Sequence, residues 1–257
     1  VSESKQLIFE QPLNERARTF LRLEHLFQQA AHHHADDSEW GTRAYLLCLL
    51  DILTILSRND IRTEITKELG EQVLKLQRLQ NRPGVDNGRL ENVLRELEQL
   101  HQRMQSMQTQ FNGTLVRDND FLNAIANRTA IPGGSCSFDL PGYHLWLHSS
   151  KEAREQQIGR WSQNLEHFEH AVNLILRLFR TSADPESFEA EGGVYVHNLT
   201  QPCQMVRVLL DNQVPLYPEI SAGRHRCTIR FMEQDTKKLS ASQTQRNVSF
   251  RMACCHL

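Results

Sequence analysis

The stretch Arg224-His-Arg-Cys-Thr-Ile-Arg-Phe-Met232 places its cations at even positions. In an extended strand alternate residues share a face, about 6.5–7 Å apart. Arg224, Arg226, Thr228 and Arg230 then lie on one face, and His225, Cys227, Ile229 and Phe231 on the other. Like charges in a row repel one another unless an anion meets them. The guanidinium fork matches a carboxylate in two parallel hydrogen bonds. The chemistry on offer is therefore anion binding, with Arg207 and Arg251 on neighbouring strands adding to it. An acidic protein segment, a nucleic acid and a plain solvated face all stay open as readings. Sheets that bind nucleic acid interleave exposed aromatics for base stacking. Phe231 and Phe250 fall on the apolar face, which favours a protein partner.

Other groups offer less. Gly133-Gly-Ser-Cys136 has the look of a nucleophile turn, with His144 and His148 nearby, but it is not G-x-S-x-G. Ser135 and Cys136 also fit a regular alternation that explains them as strand residues. His32-His33-His34 with Asp36-Asp37 suggests a metal, yet consecutive helical residues point about 100° apart and do not converge on one ion. Cys254-Cys255-His256 lacks a second ligand pair. There is no P-loop, GxGxxG or HExxH. The expectation is a chain with no catalytic site, no metal and no cofactor.

The elements that must carry these residues divide along the chain. Lys5–Glu10 reads as a short strand closed by Pro12, and Asn14 as the cap of a helix to about Ala31 with Phe20, Leu23, Phe27 and Ala30 on one face. Residues 42–58 form an apolar helix and residues 61–80 an amphipathic one. After Arg82-Pro83-Gly84, Asp86 or Asn87 caps a helix whose Leu90, Val93, Leu97, Leu100, Met104, Met107 and Phe111 make a heptad seam. The seam fits either an antiparallel hairpin with residues 61–80 inside one subunit or a hairpin that also builds a dimer contact. A short helix fits 118–128.

Around Pro141-Gly142, residues 131–148 alternate with period two, which predicts a hairpin or a bent strand pair that joins a sheet formed elsewhere. Ser149-x-x-Glu152 is a capping box for one further helix, whose seam runs from Trp161 through Leu165, Phe168, Val172 and Ile175 to Phe179. From Gly192 strands dominate: one with Val194 and Val196, one over 205–210, the arginine strand, and one over 247–255. Residues 233–246 read as a polar loop. The fold class is α+β: an N-terminal all-helical domain with a coiled-coil-like hairpin (11–130 with 149–184), plus a discontinuous, mostly antiparallel β domain (5–10, 131–148 and 190–257).

The 257 residues have a net charge of −2, which gives no global polybasic signal. From Gly192 onward, eight Lys/Arg meet four Asp/Glu, a local +4 that leaves −6 for the rest. This asymmetry suggests a localised anion-binding face. The first residues lack the apolar core of a signal peptide, and the run 45–56 contains Asp51 and is short for a membrane span. Six cysteines without C-x-x-C spacing suit a reducing cytosol and mostly buried thiols.

Three segments together resemble one family. They are Leu7-Ile-Phe-Glu-x-Pro-Leu-Asn-Glu-x-x-Arg-Thr-x-Leu-Arg22; Ile131-Pro-Gly-Gly-x-Cys-Ser-Phe-Asp-Leu-Pro with His144-x-Trp-Leu-His148; and Arg226-x-x-Ile-Arg-Phe-Met232 with Cys254-Cys255. Arg58-x-x-x-Arg-Thr-Glu64 and Pro83-Gly-Val-Asp86 fit as well. The chain resembles the ZapD family, division factors that associate with the tubulin-like protein FtsZ. The resemblance implies a non-enzymatic cytoplasmic homodimer at the mid-cell division site. It would bind the FtsZ C-terminal tail, bundle protofilaments and lower GTP turnover, without a membrane or nucleic-acid partner. It also implies tail-binding roles for Arg58, Arg226 and Arg230, with Arg224 on the same strand, and bundling roles for Arg22, Arg117 and His144.

Overall fold

The computed structural model describes residues 6–57, 61–80, 82–107, 114–223, 225–235 and 240–256. The chain divides into two compact units, residues 19–175 and residues 1–18 with 176–257.

The first unit is helical. Helix α1 (Glu15–His34) buries Phe20, Leu23, Phe27 and Ala30 as the spacing predicts, and the Asn14 side chain caps it by accepting from the Ala17 amide at 2.8 Å. Helix α2 (Glu39–Leu56) is capped by Ser38 and buries Leu46, Leu49, Leu50, Ile52, Leu53 and Leu56. Helices α3 (Ile61–Gln77) and α4 (Asn87–Ser106) pack as a hairpin. Asp86 caps α4, and Arg62 donates to the Met107 carbonyl at 2.6 Å, satisfying an acceptor at the open end of α4. The buried seam of α4 is Leu90, Leu94, Leu97, Leu100 and Met104, so Leu94 takes the place expected for Val93, which is half-buried. A 3.6-residue period drifts against a strict heptad, which lets the neighbouring position turn inward. Phe111 lies outside the described residues.

Short helices α5 (Thr114–Arg117) and α6 (Asp120–Ala126) follow. Residues 131–148 then depart from the expected hairpin. They form a chain of turns leading into a helix, α7 (Pro141–Leu147). Pro141 sits in the first turn, where its missing N–H has no intrahelical partner to lose. Tyr143, Trp146 and Leu147 are buried at spacings of three and one, a helical face, while Leu145 is 74% exposed and Phe138 83% exposed. The apparent alternation thus mixed buried and exposed residues, and this segment lies in the helical unit.

The next helix is also broken in two. Helix α8 (Lys151–Trp161) ends at Ser162, Asn164 adopts φ 68°, and α9 (Leu165–Thr181) begins. Asparagine tolerates this left-handed conformation better than most residues, so it can carry the break. The cap of α8 is Ser150, not Ser149, whose hydroxyl instead donates to the Trp146 carbonyl at 2.6 Å.

The second unit is a sandwich of two antiparallel sheets. One has strand order β1-β4-β8-β2, from β1 (Gln6–Pro12), β4 (Met205–Asp211), β8 (Val248–Cys255) and β2 (Glu186–Ala190). The other has order β3-β6-β5, from β3 (Val194–Asn198), β6 (Arg226–Asp235) and β5 (Leu216–Ala222), with β7 (Ser240–Gln243) also pairing β6. Val206, Val208, Leu210, Phe250 and Met252 of one sheet share a core with Cys227, Ile229 and Phe231 of the other. Strands β2, β5 and β7 go beyond the expected set, and β7 occupies part of the expected polar loop.

Candidate functional site

Strand β6 is the middle strand of its sheet, paired with β3 on one side and β5 on the other. Its backbone donors and acceptors are therefore used in the ladder, so it presents a face to a partner and not an edge. Cys227, Ile229 and Phe231 point into the core with no exposed surface, while Arg226 and Arg230 are exposed and Thr228 is half-buried. The alternation read from the sequence holds from Arg226 onward. His225 is the exception, an exposed residue just before the strand. Neither Arg226 nor Arg230 makes an ion pair or side-chain hydrogen bond with a described residue. Two guanidinium groups thus stand ready for an acceptor from outside. At four residues apart their backbones are separated by about 13 Å, enough for two carboxylates of one extended segment.

The register adds residues that the sequence pattern missed. Val194 stands opposite Arg230, Val196 opposite Thr228 and Asn198 opposite Arg226. On the other side Glu219 is opposite Arg230, Ser221 opposite Thr228 and Tyr217 opposite Met232. Opposed residues of an antiparallel pair share a face, so Val194, Val196, Tyr217 and Met232 flank the arginines. Val196 is 43% exposed. On β3 it is Tyr195 that packs on the core. The face is cationic and apolar together, and one carboxylate, Glu219, lies beside Arg230. The signal that could have found this was the odd–even parity of β3 relative to Tyr195 and His197, whose rings stack at 6.1 Å.

Arg207 and Arg251 do not join this face. Both lie in the other sheet, and each has a partner. Arg207 Nε donates to Glu10 Oε1 at 3.0 Å, and Arg251 Nη2 donates to the Pro185 carbonyl at 3.1 Å. Glu10 also accepts from Arg180 Nε at 2.8 Å and Nη2 at 2.7 Å. Burial pushes the Glu10 carboxyl up, but Arg180 and then Arg207 outweigh it and hold the group below its usual value. This cluster pins the end of α9 to β1 and β4.

The remaining candidate residues lie in the helical unit. Arg22 is exposed on α1. Arg117 ends α5, exposed, with its Nε 3.2 Å from Asp118 Oδ1. His144 is exposed on α7 with its ring 4.4 Å from that of His148, and His148 Nε2 lies 3.8 Å from Glu39 Oε2. No hydrogen bond, ion pair or ring contact among the described residues joins Arg22, Arg117 and His144 to one another. Arg58 and Arg224 lie outside the described residues.

The groups weighed for catalysis are engaged otherwise. Cys136 Sγ donates to Asp139 Oδ2 at 3.3 Å, and Ser135 accepts from Arg43 through its carbonyl at 3.1 Å. Cys203 Sγ lies 3.3 Å from His256 Nδ1, but burial among Cys254, Cys255 and Cys227 pushes its thiol up to about 12, away from the reactive thiolate. Among the described residues no three His, Cys, Asp or Glu side chains are grouped to hold a metal. No single described helix is long and apolar enough to cross a membrane.

The chain is an α+β protein with a helical unit and a β-sandwich, and the sandwich exposes Arg226 and Arg230 on one sheet face. Comparison with known sequences gives the family. The ZapD family model, described as a cell division protein, matches residues 21–230. "Cell division protein ZapD" of Methylococcus capsulatus is 37% identical over 254 residues, covering 98% of this chain and 99% of that protein. Its namesakes from Coxiella burnetii and Enterobacter sp. are 35% and 36% identical, each over 98% of this chain. The chain belongs to the ZapD family, and its role lies in cell division.

Proposed function

We propose that this chain binds the acidic, amphipathic C-terminal tail of FtsZ on the outer face of β3, β6 and β5, and as a homodimer cross-links FtsZ protofilaments. Carboxylates of the tail lie against Arg226 and Arg230, and its apolar side chains against Val194 and Val196. The single observation that carries this reading is that two exposed guanidinium groups without a described partner share a face with solvent-exposed valine. Tyr217 is the only aromatic on that face among the described strand residues, which does not make a stacking platform for nucleic acid.

Two tail sites per dimer let one molecule hold two filaments, and linked sites raise avidity without new contacts. Bundling of this kind stabilises the Z-ring at mid-cell and lowers FtsZ GTP turnover. Arg58 and Arg224 act with the tail site, and Arg22, Arg117 and His144 act in bundling. No covalent chemistry is required of the chain, and it works in the cytoplasm without a cofactor. The exposed leucine Leu74 of α3, 58% exposed, supports a dimer contact built on the hairpin.

The test is fluorescence anisotropy of a labelled FtsZ tail peptide. Each reversed charge at an open site removes one attraction and adds a repulsion, together about 1–2 kcal/mol, so Arg230→Glu should weaken binding about tenfold. Raising salt from low to high should weaken the wild type as well. An unlabelled tail peptide should displace the probe and an oligonucleotide should not. Affinity that ignores both salt and Arg230→Glu would sink the reading.

A further inference from the structure

The helical unit carries a second surface that the β6 face leaves unexplained. A groove of about 740 Å³ runs between α5, α6, α7 and α8, within the size range of small-ligand and peptide-anchor pockets. Leu115, Phe121, Leu145, Trp146 and Trp161 give it apolar walls, and Arg160 stands at its rim. The rings behind it are fixed to one another. Phe121 stacks on Trp161 at 5.5 Å, and Trp146 lies 5.7 Å from Trp161 and 5.5 Å from Phe121. A mutually packed aromatic wall keeps its shape when a guest arrives, so little ordering opposes binding.

Three observations point to an occupant. Leu145, on the lip, is 74% exposed, an arrangement that water disfavours unless something covers it. Trp146 is 8% exposed, yet its Nε1–H has no hydrogen-bond partner among the described residues. A buried indole donor normally finds an acceptor, and this one lacks it. Arg160 is exposed and makes no ion pair with a described residue, and none of the residues lining the groove is acidic. The groove therefore offers apolar area and one unpaired cation, with the buried indole of Trp146 in its wall.

We propose that this groove docks a short segment of a partner protein that carries a bulky apolar side chain next to a carboxylate. The apolar side chain lies against Leu145 and the aromatic wall, and the carboxylate meets Arg160. The charge complementarity selects an acidic guest over a basic one. This site is separate from the β6 face and does not depend on the tail reading.

The test pans a library of random 12-residue peptides against the full chain and measures the enriched peptides by anisotropy on variants. The expected peptides place Leu, Ile or Phe beside Asp or Glu. Leu145→Glu should weaken them at least tenfold and Arg160→Glu about five- to tenfold. The Arg226→Glu/Arg230→Glu pair should leave them unchanged. Leu145 and Arg160 are exposed, so their variants should melt with the wild type. The proposal is overturned if no peptide is enriched, if the enriched peptides bind Leu145→Glu normally, or if they are lost with the Arg226/Arg230 pair. It is also overturned if Leu145→Glu abolishes self-association of the chain and no peptide competes for the groove, which would make a second copy the occupant.

Discussion

Replacing Glu10 by glutamine removes one negative charge from between two guanidinium groups while keeping the side chain's shape. Glu10 accepts three hydrogen bonds, at 2.7, 2.8 and 3.0 Å, from Arg180 and Arg207. The three side chains are 17%, 26% and 14% exposed, so water screens them only in part. A hydrogen bond to a charged acceptor exceeds a neutral one by about 1 kcal/mol, which for three bonds gives about 3 kcal/mol. Partial solvent access reduces this to about 2 kcal/mol. Amides of β1 and β4 should then lose about thirtyfold in hydrogen-exchange protection at pH 7. The pH dependence has a definite sign. The folded carboxyl titrates below its ordinary 4.5, so its contribution is complete above about pH 4.5 and is lost as pH falls through the lower folded value. The gap between wild type and Glu10→Gln should therefore close in acid. A gap under about 0.5 kcal/mol at pH 7, or one undiminished at pH 2, would mean that the Glu10 charge does not stabilise the fold.

Three further outcomes follow from the geometry. Gly193→Ala should destabilise the sandwich by about 3 kcal/mol or more in chemical denaturation, because Gly193 has φ 75° and an added Cβ would sit 2.3 Å from the Thr244 carbonyl oxygen. Leu94→Ala should destabilise the helical unit by about 2–4 kcal/mol, against about 1 kcal/mol for Val93→Ala; equal losses would restore the heptad register. Arg226→Glu and Arg230→Glu should each change unfolding free energy by less than about 0.5 kcal/mol, since both residues are exposed and have no described partner, so any binding loss they cause is local.

The placement of Arg226 and Arg230 on one exposed face was legible because the period of two sets them opposite the buried Cys227, Ile229 and Phe231. The helices of residues 15–106 were legible at their own period, with Asn14 and Asp86 as caps, whereas the Ser38 cap that starts α2 at Glu39 and not at Thr42 was not read. What failed did so where short-range pattern and long-range packing disagree. Tyr143, Leu145 and Leu147 alternate, yet Pro141 starts a helix and Trp146 supplies the third buried position. Strand β5 was hidden by Pro218, which lowers strand propensity but is tolerated where β5 forms the outer edge of its sheet. With β5 went Glu219 and Tyr217, and so the mixed character of the face. Arg207 and Arg251 were grouped with β6 because a sequence shows strands but not which sheet each joins.

Binding of the FtsZ tail to the β6 face, as proposed above, would hold filaments together only through that tail. GTP-assembled FtsZ would be sedimented with the chain, using full-length FtsZ and FtsZ without its C-terminal tail. Bundles should pellet with the chain only when the tail is present, and Arg226→Glu should abolish them. Equal pelleting with tail-less FtsZ, or no co-sedimentation with either form, would rule out the tail as the ligand of the β6 face.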